Sequence, residues 1–226
     1  MTNYTIAINN VSGFAKSYMV FTEPPLVSVN GRSPSVYANA WVTFPSISNQ
    51  SFDSVTASEE FFAYWGTPKK LLAGGVQIGS GGYAPIEAGE SVGFSAASSI
   101  GTLSAGVTAI GFGPVAWDGS VPGGSFGIVA DQSFTAENGL VFGMAKFGRT
   151  PIPTPVATFM AEPGDTFYVT PVVKYYVTEG LFDPGTVINI SEISQSKVTI
   201  DFTGRVETTA TVTQQRNGGF SVGYSI

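Results

Sequence analysis

The chain contains neither histidine nor cysteine. Without histidine, it has no Ser-His-Asp triad and no histidine ligand for zinc. Without cysteine, it has no disulfide and no thiolate chemistry. Only carboxylates, tyrosine and lysine would remain as acids, bases or nucleophiles. We therefore expect that the protein is not an enzyme.

Charged residues are also scarce. They make up 12% of the 226 residues, against a usual share of about 25%. The net charge is −6, and the few basic residues form no stripe that could neutralise phosphates, so we predict no nucleic-acid binding. Sheet edges that carry so little charge favour self-association, and we expect a homo-oligomer.

The sequence also lacks long apolar runs. No run approaches the ~20 residues that a membrane-spanning helix needs, so we predict no membrane span. The first residues have neither the basic nor the apolar region of a signal peptide. We expect a cytoplasmic protein, with non-classical secretion as an alternative. No calcium-loop motif occurs, and we predict no metal site.

Strand-forming residues and turn signals are abundant. Hydrophobic residues make up 43% of the chain and aromatic residues 13%, alongside 28 glycines and 14 prolines. Apolar runs alternate with turns at intervals of ~8–12 residues, which indicates about 12 strands and little or no helix. The sequence predicts an all-β protein, an antiparallel β-sandwich or jelly-roll-like fold, in one domain over residues 1–226.

Turn residues also predict which strands are neighbours, because an Asn-Gly pair between apolar runs signals a hairpin. The predicted groups are a hairpin of residues 4–8 and 17–22, a pair of 125–131 and 140–147 around Asn138-Gly139, and a meander of 197–202, 206–213 and 220–226. The apolar stretch 166–178 is predicted as a core strand that is broken at Pro171.

Two lysines stand among apolar residues. Lys146 lies in the segment FGMAKFG, and Lys174 follows two valines. A desolvated lysine has a depressed pKa and can form a Schiff base with a carbonyl ligand. The alternative is that each lysine points outward from an alternating strand. By contrast, Glu59 and Glu60 are discounted as an acid pair for glycoside hydrolysis, because adjacent strand residues face opposite ways.

The three tryptophans are further candidates for ligand contact. A tryptophan offers a broad apolar face and an N–H donor, and it is enriched at binding hot spots. Trp117 and Asp118 occur together in the predicted loop AWDGS, an arrangement common in sugar-binding sites. Trp41 and Trp65 are candidates on their residue type alone. The alternative reading of Trp117 is a side chain that covers one end of the core.

The opening segments YTIAINN (4–10), Ser12-Gly13 and YMVFTEPP (18–25) resemble a group of cysteine-poor fungal proteins that is similar to the pink chromoproteins of oyster mushrooms. The match covers about the first 25 residues. The resemblance implies a pigment, an organic chromophore, held without catalysis in an oligomeric β-sandwich protein. It carries over no binding residue.

These observations leave three functions open. The first is a small-molecule or pigment-binding protein, with the candidate ligand contacts Lys146, Lys174, Trp117, Trp65, Trp41 and Asp118. The second is a lectin-like protein whose partner is a glycan. The third is a pore-forming or structural assembly protein, in which the Ser/Thr/Gly-rich segment 91–107 rearranges into membrane hairpins.

Overall fold

The computed structural model describes residues 2–98, 109–190 and 197–226, and within them it confirms the predicted all-β class. The described residues form eighteen strands and one short 3-10 helix, Ala136–Asn138. The strands are β1 (Asn3–Asn10), β2 (Lys16–Thr22), β3 (Leu26–Val29), β4 (Tyr37–Ala38), β5 (Ala40–Ile47), β6 (Ser51–Ser58), β7 (Phe61–Pro68), β8 (Ile78–Ile86), β9 (Glu90–Ser98), β10 (Ala109–Trp117), β11 (Phe126–Ala130), β12 (Val141–Lys146), β13 (Thr154–Met160), β14 (Thr166–Thr170), β15 (Lys174–Glu179), β16 (Lys197–Asp201), β17 (Thr209–Gln214) and β18 (Phe220–Ser225).

The strands form four sheets. Sheet I has the order β18-β17-β1-β6, sheet II β16-β15-β2-β5, sheet III β10-β9-β11-β14-β3 and sheet IV β4-β13-β12-β7-β8. Aromatic contacts join sheet I to sheet II, where Tyr18 meets Phe220, and sheet III to sheet IV, where Phe94 meets Phe142. We call I and II the terminal pair and III and IV the central pair.

Alternating burial places one face of most strands in the core. In β1 and β17 every second residue is buried, as expected for sheets with one covered face. In β12 all six residues are buried, because both faces of the strand are covered: Phe142 and Met144 belong to one buried cluster, and Val141 and Ala145 belong to another. One continuous cluster of buried apolar side chains draws residues from all four sheets.

The structure has more strands than the predicted number of about 12. The additional ones include the two-residue β4, which is too short to show a period, and strands in the glycine-rich segment that begins at β8. Glycine has no side chain and therefore adds nothing to a hydrophobic pattern. Two pairings, β1 with β17 and β9 with β11, are parallel, while the other ladders between described strands are antiparallel.

Two of the three predicted neighbour groups were wrong in their pairing, and the third, the meander, is confirmed for its last two strands. β1 pairs with β17 and β6, whereas β2 pairs with β15 and β5. β11 and β12 lie in different sheets, and Gly139 ends the 3-10 helix in the left-handed region instead of closing a hairpin. Of the predicted meander only β17 and β18 pair, since β16 lies in sheet II. Turn residues reverse the chain, but they do not decide which sheet the next strand joins.

The predicted break at Pro171 is confirmed, because β14 ends at Thr170 and β15 begins at Lys174 in another sheet. The segment 91–107 is only partly described. Residues 91–98 belong to β9, and residues 99–107 lie outside the described part of the chain. No helix among the described residues is long and apolar enough to cross a membrane.

Candidate functional site

A cavity of about 640 Å³ lies at one end of sheet IV. β7 runs antiparallel to both β8 and β12, so the start of β7 meets the ends of its two neighbours. The cavity volume falls within the range of small-molecule sites, ~300–1,000 Å³. Its lining consists of Glu59, Glu60, Phe61, Phe62, Pro85, Ile86, Glu87, Ala88, Glu90 and Phe147.

Three phenylalanines give the cavity aromatic walls. Phe61 stacks on the buried ring of Phe126 in the facing sheet, with centroids 5.4 Å apart. Phe62 meets the edges of Phe147 at 4.8 Å and Tyr83 at 5.6 Å. Because each ring is held by another ring, the walls are formed before any ligand arrives.

Four glutamates stand around these rings. The Glu59 carboxylate accepts a hydrogen bond from the backbone N–H of Thr2 at 2.9 Å, and this bond is the main reason that the pKa of Glu59 is lowered. The Glu90 carboxylate accepts from the backbone N–H of Glu87 at 2.8 Å. The described residues that line the cavity include no lysine or arginine.

The turn between β8 and β9 forms one side of the cavity and is firmly held. Gly89 has a φ of +89°, a left-handed conformation that side chains disfavour. Its N–H donates to the carbonyl of Ser125 at 2.8 Å, and its own carbonyl accepts from the N–H of Asp118 at 3.0 Å. A Cβ at position 89 would also displace the indole of Trp117. The turn therefore requires glycine.

Lys146 lies behind the other side of the cavity and is only 7% exposed. Its Nζ donates to the carbonyl oxygens of Ser58 at 2.7 Å and Glu60 at 3.0 Å, which fixes the β6–β7 turn. Burial lowers the pKa of Lys146 to about 8, and the charges of Glu59 and Glu60 oppose part of that shift. The structure thus places this candidate as a desolvated lysine, although its amine already has two acceptors.

Lys174, the second lysine candidate, is not desolvated. Its side chain is 33% exposed, and its Nζ lies 3.7 Å from the carboxylate of Asp201 on the neighbouring strand. The premise of a buried amine is therefore wrong for Lys174. The residue begins β15 at the end of sheet II, where the apolar residues before it, Val172 and Val173, precede the strand.

Trp41 and Trp65 are core residues and do not themselves line the cavity. The Trp41 indole donates to the carbonyl of Phe147 at 3.1 Å and packs 5.7 Å from Tyr175. Trp65 packs 5.5 Å from Phe94 between the central sheets. Both rings are enclosed by protein and neither lines the cavity, and ligand contact at these two residues stays a prediction.

Trp117 is exposed, with 75% of its surface accessible, and its ring covers Gly89 next to the cavity residues Ala88 and Glu90. Asp118 follows it at the surface. Hydrogen bonds from the hydroxyl and the backbone N–H of Ser120 lower the pKa of Asp118. The structure therefore brings Lys146, Trp117 and Asp118 to the neighbourhood of one cavity, although none of them lines it.

The cavity residues themselves were missed. Glu59 and Glu60 were discounted as neighbours on a strand, but β6 ends at Ser58 and β7 begins at Phe61, so the two acids lie in a turn and both line the cavity. The available signal was the sequence Glu-Glu-Phe-Phe, in which acids adjoin aromatic residues. Its partners at 85–90 and at Phe147 are distant in the chain, and only strand pairing brings them together.

The fold and this site define an all-β protein of stacked sheets with a preformed aromatic and acidic cavity. The family model RhiA matches residues 1–225, and the chain belongs to the RhiA family. No curated protein and no solved structure matches the chain significantly.

Proposed function

We propose that this member of the RhiA family is a non-enzymatic binding protein whose ligand, a pigment or another small organic molecule, occupies the cavity at the start of β7. The observation that carries the proposal is the cavity itself, with about 640 Å³ of space beside three aromatic side chains. Apolar walls that exclude water from a ligand supply most of the affinity in such sites, and a few polar groups orient the ligand.

The rigidity of the cavity supports binding as its role. On one side, Ser125 and Asp118 hold the turn around Gly89, and on the other side Lys146 holds the carbonyls of Ser58 and Glu60. A preformed site loses little conformational entropy when a ligand enters, which favours affinity.

Lys146 serves this proposal as a residue that positions the β6–β7 turn. To form a Schiff base, its amine would have to leave both carbonyl acceptors and become neutral. Its pKa of about 8 keeps most of the amine protonated at neutral pH. We therefore propose a ligand that is held without a covalent bond.

The experiment is native mass spectrometry, together with an absorption spectrum, on the protein produced in its natural source. We expect a mass in excess of the bare chain, and absorbance beyond the tryptophan band if the ligand is a pigment. Ala88→Trp, which adds an indole at the cavity lining, should lose the excess mass. The exposed Ala136→Trp, outside the cavity lining, should keep it. A bare chain mass in the natural protein would contradict the proposal.

A glycan is the second candidate ligand, and one observation favours it. The Trp117 indole is largely exposed and lies directly beside Asp118, so that an aromatic face and hydrogen-bond acceptors are offered together. A broad glycan array tests this candidate. Binding that disappears in Trp117→Ala would support it, and a silent array would eliminate it.

Self-association stays a prediction that also belongs to this proposal. The outer strands of the four sheets, such as β18 and β16, leave unpaired edges among the described strands. Such edges pair readily with a second chain unless they are protected. Light scattering of the purified protein would test it, and a monomer at all concentrations would contradict a homo-oligomer.

A further inference from the structure

We propose that the cavity takes an organic cation, an amine or quaternary ammonium group carried on an apolar or aromatic body. This inference rests on the proposed function, because it assigns the class of ligand to the same cavity. It follows from three properties of the lining, which are its charge, its aromatic rings and its volume.

The first property is an excess of negative charge. Glu59, Glu60, Glu87 and Glu90 line the cavity. The ion pairs between described side chains use other acids, namely Glu179, Glu162, Asp53 and Asp201. The ammonium of Lys146 is hydrogen-bonded to two backbone carbonyls, and together with the N-terminal charge that acts on Glu59 it cannot balance four carboxylates. An anionic ligand would be repelled, whereas a cation would be attracted.

The second property is the position of the aromatic rings among these acids. Phe61, Phe62 and Phe147 all line the cavity. A cation within ~6 Å of a ring centroid is attracted by the negative face of the ring, and quaternary ammonium ions are commonly recognised in this way. Aromatic walls also bind the apolar part of the same ligand.

The third property separates an organic cation from a metal ion. Within the described ranges, no three carboxylates come close enough together to hold a metal ion. The four glutamates instead surround a volume of about 640 Å³, which is far more than a bare ion fills. The positive charge that these carboxylates attract is therefore expected on a molecule larger than a metal ion.

The test compares three probes of similar size on the full chain: benzyltrimethylammonium, benzyl alcohol and benzenesulfonate. Isothermal titration calorimetry at low salt should show binding of the cation and weaker binding of the other two. Added salt should lower the affinity for the cation but not for the other two probes, because salt screens the attraction of the carboxylates. Glu60→Gln should lower the affinity for the cation about twofold to fivefold, and the double variant with Glu90→Gln should lower it about tenfold. Glu137→Gln, an exposed acid outside the lining, should change nothing.

Benzyl alcohol or benzenesulfonate bound as tightly as the cation would overturn the inference. Failure of the cation to bind would also overturn the inference. The same holds if both glutamine substitutions leave the affinity for the cation unchanged in variants that unfold at the wild-type temperature. If the natural protein carries a neutral or anionic molecule that Ala88→Trp loses, the inference of a cationic ligand is overturned, whereas the proposed binding function stands. A natural protein with a bare chain mass would count against the proposed function, independently of the probes.

Discussion

Aromatic contacts join the sheets of both the terminal and the central pair, and the terminal pair adds a chain of side-chain hydrogen bonds. Between sheets I and II, the hydroxyl of Tyr18 donates to Gln214 at 2.6 Å, and Gln214 donates in turn to Glu179, which is paired with Lys16. Between sheets III and IV, the contacts are aromatic, and Phe142 packs against Phe94 at 4.9 Å and against Phe167 at 5.6 Å.

This difference bears on where a ligand site can form. A hydrogen-bond chain has strict geometry, and it fixes how the two terminal sheets sit on each other. Rings pack in several orientations, so the two central sheets can pack tightly in their middle and separate at one end. The cavity lies at such an end, where Phe61 stacks on Phe126 across the two sheets.

The greatest loss of stability is expected for a substitution in the aromatic core of the central pair. Phe142 is fully buried, so Phe142→Ala should lower the free energy of unfolding by about 3–5 kcal/mol through lost contacts and a new cavity. Urea unfolding followed by circular dichroism measures it. The exposed Phe52→Ala should stay within about 0.5 kcal/mol of the wild type. A loss below about 1 kcal/mol at Phe142 would show that the rings are not the main contact.

The next effect is a pH dependence at the buried charge of the central pair. The pKa of Lys146 is lowered to about 8 in the folded protein, against ~10.4 in an unfolded chain. Between these values the unfolded chain binds more protons, so the stability should rise with pH, by about 2 kcal/mol from pH 7 to pH 9.5. Unfolding curves of the wild type and Lys146→Met across this range measure the difference.

The comparison with Lys146→Met isolates one group. Burial raises the pKa of Tyr18 and of Tyr64 to about 12, so tyrosines act on stability only at higher pH. They are also present in both proteins. If the two curves run parallel from pH 7 to pH 9.5, Lys146 is not desolvated in the folded state.

A smaller effect is expected at the hydrogen-bond chain of the terminal pair. Tyr18→Phe removes the donor to Gln214, a residue that is itself buried, and should cost about 1–2 kcal/mol. Chemical unfolding measures this cost. Tyr83→Phe, which alters an exposed tyrosine, serves as the matched control and should stay near the wild type. Equal stabilities of the two variants would mean that the chain does not hold the sheets together.

The smallest effect is expected at the surface ion pair of the terminal pair. Lys174→Ala should change the free energy of unfolding by less than about 0.5 kcal/mol, because both partners are partly exposed. Any change should vanish in high salt. A salt-independent loss above about 1 kcal/mol would instead place Lys174 in an environment as dry as that of Lys146.

The two lysines show which features of the site could be predicted from the sequence. Both stand among apolar residues, and the same pattern left burial and an outward orientation open for both. Lys146 ends β12, a strand buried along its whole length inside sheet IV, whereas Lys174 begins β15 opposite Asp201. The pattern records the neighbours in the chain, but burial depends on what covers the strand end.

The tryptophans show the same limit. Trp41, Trp65 and Trp117 were equivalent as residue types, yet two of them are enclosed in the core and one lies at the surface. Enclosure comes from rings supplied by distant strands, such as Tyr175 for Trp41 and Phe94 for Trp65. The apolar period of single strands does not contain this information.

Local patterns and composition were sufficient to predict the all-β class, the strand interruption at Pro171 and the lack of histidine and cysteine chemistry. The sheet that each strand joins and the residues that form the cavity follow from the three-dimensional packing alone. Residues 59–62, 85–90 and Phe147 meet because β7 pairs with both β8 and β12. Such pairings depend on packing between distant segments, which no local pattern specifies.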